Sequence, residues 1–300
     1  MLQWPFMAKR KDDVAESGED STSIKAKRAK TDKPHGLETP NSTARREKLV
    51  KDTNALTGEQ FEARFVDEDM LSYVAPGKDA QEAFDISLVA ADWLTPGEHN
   101  ASYGIVEETS RPDYESSTFG WHPRRKRKEM LEPEMKYFFV RRKGAKPTIE
   151  RTKSGDLDTS ILGFLSCMVT HDSSPSVPVL YIYEIHLKET LRGLGLGKHL
   201  MRIADQLAEN VGLEKVMLTC FLCNEKAHRF YNMHGFDKDV CSPEDRRTRN
   251  KLVPVDYVIM SKDSPRNSIR QLPDVDKKSH SDALVDASDD ESPGTERNSN

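Results

Sequence analysis

The 300-residue chain carries 45 Lys and Arg against 50 Asp and Glu, a net charge of −5, and 36% of its residues are apolar. That length holds one or two domains, and the slightly acidic balance argues against nucleic acid as the main partner. No apolar run is long enough to span a membrane, and the opening "MLQWPFMAKRKDD" turns charged too early for a secretory signal. An intracellular protein with no membrane contact is expected.

Residues 1–43 and 263–300 are rich in charged and small polar side chains, the second stretch becoming acidic. Neither can bury enough apolar surface to offset the entropy of ordering, so two disordered tails are expected around one folded unit, 44–262. Basic clusters at 9–11 and 25–30 fit nuclear import, or equally a solvated tail, and residence in nucleus and cytoplasm is the expectation. Within the folded unit, patterning predicts a helix over 47–56, a strand over 61–66, and a helix or an insertion over 79–94. A basic helix follows within 119–130, then strands over 137–142 and 161–170, with a polar hairpin over 144–158 between them. A strand at 181–187, a helix along Leu196, Leu200, Ile203, Leu207 and Val211, a strand at 215–221 and a helix at 224–234 come next. Strands near Phe236 and over 257–260 complete the order. This predicts an α/β fold, a mixed sheet with helices packed on it.

The informative stretch is "YIYEIHLKETLRGLGLGKHLM". A strand, a glycine-rich turn and a helix start collect unpaired backbone N–H groups at the positive end of a helix dipole, which suits a phosphate. A nucleotide-triphosphate loop would need Ser or Thr after Gly197-Lys198, where His199 stands, and a dinucleotide loop would need a third glycine where Lys198 stands. A flexible connection with no ligand is the plain alternative. The pattern Arg192-x-x-Gly195-x-Gly197 resembles the coenzyme A pyrophosphate signature of the GNAT superfamily of acetyltransferases. "NEKAHRFYNMHGF" resembles a second element of that superfamily, with Asn224 suited to cap a helix and Gly235 to end it.

Four segments further resemble the N-alpha-acetyltransferase D family, which acetylates the N-terminal serine of core histones. They are "YESSTFGW", "VLYIYEIHL", "KVMLTCF" and "DYVIMSK", in order along the chain. The resemblance implies a GNAT acyltransferase fold, a mixed and mostly antiparallel sheet flanked by helices, acting as a monomer. It implies acetyl-CoA as cosubstrate, histone tails beginning Ser-Gly-Arg-Gly as acceptors, and direct transfer in a ternary complex. Backbone groups at Ile185, His186 and Leu187 would hold the pantetheine arm and polarise the thioester. Arg192, Gly193, Leu194, Gly195, Leu196, Gly197 and Lys198 would take the pyrophosphate, and Asn224 would contact the cofactor. Glu184 would receive the amine proton through a water, with Tyr183 in the relay and Tyr231 protonating the thiolate. Tyr114, Trp121, Asp172, Tyr181, Tyr183, Thr219 and Tyr257 would surround the acceptor.

Each of these positions also has a plainer reading: an ion-paired strand residue at Glu184, aromatic core at Tyr183 and Tyr257, packing at Tyr114 and Trp121, a loop acid at Asp172. In strict alternation Glu184 points away from Tyr183, so a bulge or splay must bring both to one site. The chain departs from the family at Ser174, where an acidic residue is usual, and this weakens the implied grip on a basic tail. Cys220 and Cys223 have a zinc-knuckle gap without a second pair, so neither metal nor disulfide is expected, and Cys220 should be core. Two other functions stay open: acetylation of lysine side chains or small amines, and a nucleic-acid or chromatin binding surface built on "RRKRK" at 124–128 and the basic tail of an inactive GNAT-like scaffold.

Overall fold

A computed structural model describes residues 40–77, 82–172, 177–247 and 252–265. The expected tails therefore lie outside the described residues, except that the first helix already begins at Pro40 and the last strand runs to Asp263.

The described residues begin with two helices, α1 (Pro40–Asn54) and α2 (Gly58–Phe65). The second corrects the strand expected over 61–66. A reciprocal capping box between Thr57 and Gln60 starts it, and Phe61 and Phe65, four apart, bury one face. Strands β1 (Ser72–Val74) and β2 (Ala83–Ala90) follow, so half of the stretch read as a helix or insertion over 79–94 is an eight-residue strand. Then comes α3 (Pro96–Ser116), a 21-residue helix that sequence patterning missed. Gly97, Gly104 and Pro112 interrupt its apolar stripe. Its start is legible all the same: Thr95 and Glu98 form a capping box and Pro96 occupies the first turn. Thr95→Ala should cost about 1 kcal/mol in urea unfolding, and an unchanged midpoint would show that tertiary packing alone sets this helix start.

The remaining elements match their expected positions closely: α4 (Pro123–Glu129), β3 (Lys136–Arg142), the hairpin β4 (Ile149–Thr152) and β5 (Gly155–Asp158), β6 (Gly163–His171) and β7 (Pro178–Leu187). After them come α5 (Leu196–Val211), β8 (Lys215–Phe221), α6 (Glu225–Met233), β9 (Asp237–Lys238), the short pair β10 (Arg246–Arg247) and β11 (Leu252–Val253), and β12 (Tyr257–Asp263). Eight strands form one sheet in the order β1-β2-β3-β6-β7-β8-β12-β9. Neighbours are antiparallel except β7 and β8, which are parallel because α5 crosses over between them. The main core lies between one sheet face and α1, α2 and α5, where Val50, Phe61, Phe65, Leu200, Ile203 and Leu207 are buried. On the opposite face α3 buries Tyr103, Ile105 and Val106 against Tyr137, Phe139 and Phe164. The hairpin is tied to α3 by Arg141, which joins Glu98 at 3.0 Å to Asp158 at 3.1 Å, all three nearly out of water. It thus props the N-terminal half of the helix that overhangs the site.

Candidate active site

Two irregularities of the sheet make the site. First, β7 and β8 pair only from Val179–Lys215 to Ile182–Leu218, after which the strands part. From Tyr183 onward the β8-facing edge of β7 therefore borders a cleft of about 750 Å³. Second, β7 bulges against β6: Cys167 pairs with Ile182 while Ser166 pairs with Glu184, leaving Tyr183 as the extra residue. Cross-strand partners share a sheet face, and Cys167 and Ile182 both point into the main core. Ser166 therefore faces the other side, and Glu184 with it. The bulge turns Glu184 out of the core and sets it on the face that carries Tyr183. This is the departure from alternation that the sequence reading required.

Glu184 is buried among partners that its own strand does not announce. Lys126 of α4 forms an ion pair with its Oε1, off the hydrogen-bond direction, and His186 Nε2 stands 2.5 Å from its Oε2. Burial alone would raise the Glu184 carboxyl, but Lys126 and the His186 hydrogen bond outweigh it and hold it down to about 2. The Lys126 ammonium also donates to Glu129 Oε1 at 2.7 Å and to the Tyr114 hydroxyl at 3.0 Å. It is 5% exposed, so the run "RRKRK" is not a continuous surface. Arg127 turns inward too, its guanidinium 3.7 Å from the centre of the Tyr103 ring and bonded to Asn100. The chromatin-surface reading thereby loses two of its five cations. Beyond His186, its Nδ1 lies 2.8 Å from the Thr109 hydroxyl of α3.

At the mouth of the cleft, Gly193 and Gly195 take left-handed φ of 79° and 84°, and Gly195 starts α5 with no side-chain cap. The first N–H groups of a 16-residue helix are therefore left to a ligand, between the exposed cations Arg192 and Lys198. A Cβ on Gly195 would stand 2.3 Å from the Tyr73 hydroxyl, which donates to Leu194 O at 2.7 Å. The edge strand β1 thus braces the loop, a contact no local pattern predicts. Glycine, backbone donors and two cations fit the pyrophosphate of coenzyme A. The Asn224 side chain accepts from Ala227 N and donates to Asp113 at 2.8 Å, so it both caps α6 and anchors the end of α3.

The expected acceptor residues gather with one exception. Ring contacts run from Tyr103 to Trp121, Tyr114, Phe221, Phe119 and Tyr257, with centroids 4.9 to 5.9 Å apart, as one aromatic wall. Tyr181 and Tyr183 meet edge to face at 5.2 Å, and the Tyr181 hydroxyl bonds Thr219 on the parted end of β8. Asp172 stands apart, at the far end of β6 from Glu184. Its carboxylate is buried and paired with Lys215 at 3.2 Å, while Ser174 lies outside the described residues. Tyr231 lines the cleft, its hydroxyl pushed upward by burial. Thr109, Asp113, Lys126 and the side chain of His186 were missed, because α3 and α4 reach the cleft only through tertiary packing. All four cysteines are free thiols; Cys167 and Cys220 are buried and Cys223 is exposed at the cleft. Among the described residues no cluster of metal-ligating groups occurs and no helix is long and apolar enough to cross a membrane.

Residues 105–236 match the model of the Acetyltransferase (GNAT) family. This region is a domain of that family, and the mixed, mostly antiparallel sheet with its flanking helices is the GNAT fold. Over 103 residues the chain is 33% identical to N-alpha-acetyltransferase 40 of Saccharomyces cerevisiae, a segment covering 29% of this chain and 36% of that protein. Over 58 residues it is 34% identical to the uncharacterized N-acetyltransferase YycN of Bacillus subtilis, covering 19% and 37%. The chain thus spans little more than a third of the length of these curated relatives. The ribosomal-protein-S18-alanine N-acetyltransferase from Escherichia coli superposes with a TM-score of 0.39 at 16% identity, over 60% of this chain and 94% of that one. That likeness is too distant to bear on substrate.

Proposed function

We propose that this protein is an acetyl-CoA-dependent N-alpha-acetyltransferase acting on the N-terminal serine of histone tails that begin Ser-Gly-Arg-Gly. The observation that carries the reading is the bulge at Tyr183, which sets Glu184 and Tyr183 together on the wall of a cleft opened by the parting of β7 from β8. The glycine loop at the cleft mouth supports acetyl-CoA as the cosubstrate, which supplies the acetyl thioester. Backbone N–H groups on the open edge of β7, over 185–187, would align the pantetheine arm and polarise the thioester carbonyl. An α-amine with a pKa near 8 needs only modest help to lose its proton. Tyr231 lines the cleft and keeps its phenolic proton at neutral pH, so its hydroxyl is the group offered to the departing thiolate. Tyr114 and Thr219 line the cleft, Trp121 packs on Tyr114, and the Tyr181 hydroxyl bonds Thr219; these groups support an acceptor site for a small polar first residue. The partial identity to N-alpha-acetyltransferase 40 supports the same acceptor class. Residence in nucleus and cytoplasm accords with this substrate and with the basic clusters near the start of the chain.

Mass spectrometry of a Ser-Gly-Arg-Gly-Lys peptide after incubation with acetyl-CoA tests the reading. Acetylation should appear on the α-amine and fall to a trace when that amine is blocked and the lysine left free. Equal acetylation of the blocked peptide would assign the site to lysine acceptors instead.

A further inference from the structure

The proton path implied by Glu184 alone is chemically awkward. A carboxylate clamped by the Lys126 ammonium is a weak acceptor, and its second oxygen is already taken by His186. The array continues, however: Glu184 Oε2 to His186 Nε2 at 2.5 Å, His186 Nδ1 to Thr109 Oγ1 at 2.8 Å, Thr109 Oγ1 to Ile105 O at 2.7 Å. Glu184, His186 and Thr109 all line the cleft.

The hydrogens in this array can be counted. A carboxylate only accepts, so His186 Nε2 carries a hydrogen in either charge state. With neutral imidazole, Nδ1 is a lone pair, and the Thr109 hydroxyl donates to it. With imidazolium, Nδ1–H donates to Thr109 Oγ1, and that hydroxyl turns its own hydrogen to Ile105 O, also within reach. One rotation of a single hydroxyl therefore satisfies both states, and proton uptake at Nδ1 leaves no buried polar group unpaired. Glu184, itself neutralised by Lys126, stays an acceptor throughout.

We propose that His186 is the proton-relay residue of the cleft, receiving the acceptor's proton at Nδ1 through the Thr109 hydroxyl while Glu184 holds Nε2. This rests on the acetyltransferase reading. The acceptor ammonium gives one proton to Thr109 Oγ1 as the Thr109 proton passes to Nδ1. The freed nitrogen lone pair bonds the acetyl carbon, the carbon–sulfur bond breaks, and the second amine proton goes to the thiolate; His186 then releases its proton to water. The imidazole is bonded to Glu184 on its own strand and to Thr109 of α3, with Phe164 of β6 against its ring; Lys126 of α4 pairs with Glu184 and Glu129, and Asp113 and Tyr114 of α3, Arg192, and Lys226, Arg229 and Tyr231 of α6 line the same cleft. Glu184 is the charged group that touches it.

Steady-state kinetics with acetyl-CoA and the free Ser-Gly-Arg-Gly-Lys peptide, from about pH 6 to about pH 9, test this for His186→Gln, Thr109→Val and Thr109→Ser. His186→Gln and Thr109→Val should lower kcat by about 100-fold with KM little changed, and should remove the acid limb of the kcat profile. Thr109→Ser, which keeps the hydroxyl, should restore both. Full activity and an unaltered profile in His186→Gln would overturn the relay while leaving the acetyltransferase reading standing. Nitrogen-15 NMR of histidine-labelled wild-type protein gives a second readout that needs no turnover. Neutral His186 should be the Nε2–H tautomer, and an Nδ1–H tautomer would overturn the relay even if no peptide were ever acetylated.

Discussion

Lys126→Met should destabilise the protein by about 3–5 kcal/mol at neutral pH, because it strands two buried carboxylates, Glu184 and Glu129, beside one another without their cation. The pH dependence reports the two stranded carboxylates together. In the wild type the Glu184 carboxyl lies at about 2, below the value near 4.3 of an unfolded glutamate. A depressed carboxyl stabilises above its unfolded pKa, and that contribution is lost as pH falls from about 4.3 through the folded value. Without Lys126 the Glu184 carboxyl rises and that of Glu129, already raised by burial, rises further; the unfolded state is common to both proteins, so the gap should be widest near neutrality and close as the pH falls through these raised carboxyls towards the wild-type Glu184 value of about 2. Asp239 is held at about 2 against its own burial by Cys241 N–H, Ser261 and Lys215, and titrates in the same window. It does so in both proteins and cancels in the difference. Urea unfolding at several pH values reads the effect, and adding Glu184→Gln to Lys126→Met should recover part of the loss. A Lys126→Met protein as stable as wild type at pH 7 would remove the ion pair from this account.

Gly195→Ala should weaken acetyl-CoA binding about tenfold or more. A side chain at the left-handed φ of 84° costs about 1–2 kcal/mol, and the new Cβ would sit 2.3 Å from the Tyr73 hydroxyl. Either the loop or β1 must move, and the N–H groups at the start of α5 lose their aim. The two causes separate by experiment. Tyr73→Phe removes the offending oxygen and leaves the ring carbon 3.4 Å away, an ordinary contact. If the clash dominates, Gly195→Ala with Tyr73→Phe should bind better than Gly195→Ala alone; if the backbone strain dominates, the two should be equally weak. Gly197→Ala meets the Phe230 ring at 3.3 Å and should be the milder change. Calorimetry with acetyl-CoA measures all four proteins, and wild-type affinity in Gly195→Ala would end the pyrophosphate assignment for this loop.

The sequence alone determined the parts whose chemistry is local. The helix after the glycine loop follows from the spacing of Leu196, Leu200, Ile203 and Leu207, the anion site from glycines that precede a helix start, and β8 from a run of apolar residues bounded by a turn. The requirement for a bulge was also local, since Tyr183 and Glu184 are neighbours and two neighbours on one strand cannot otherwise face the same way. Tertiary structure alone decided what stands behind those residues. The helix over 58–65 is an exception whose cause is local, since a capping box and the i to i+4 pair of Phe61 and Phe65 prevail over strand-forming side chains. The helix α3 is hidden in sequence because Gly97, Glu98 and Ser102 are buried alongside Tyr103, Ile105 and Val106, which blurs the apolar stripe, and Pro112 breaks its pattern near the cleft. Lys126 sits in a run of five cations that looks solvated, and Asp172 in a segment that looks like a loop acid. Each is buried because a carboxylate or an ammonium more than forty residues away in the chain meets it. Periodicity reports which face of an element is apolar. It carries no information on which charged partner another element will bring to that face, and here that partner sets the charge of Glu184.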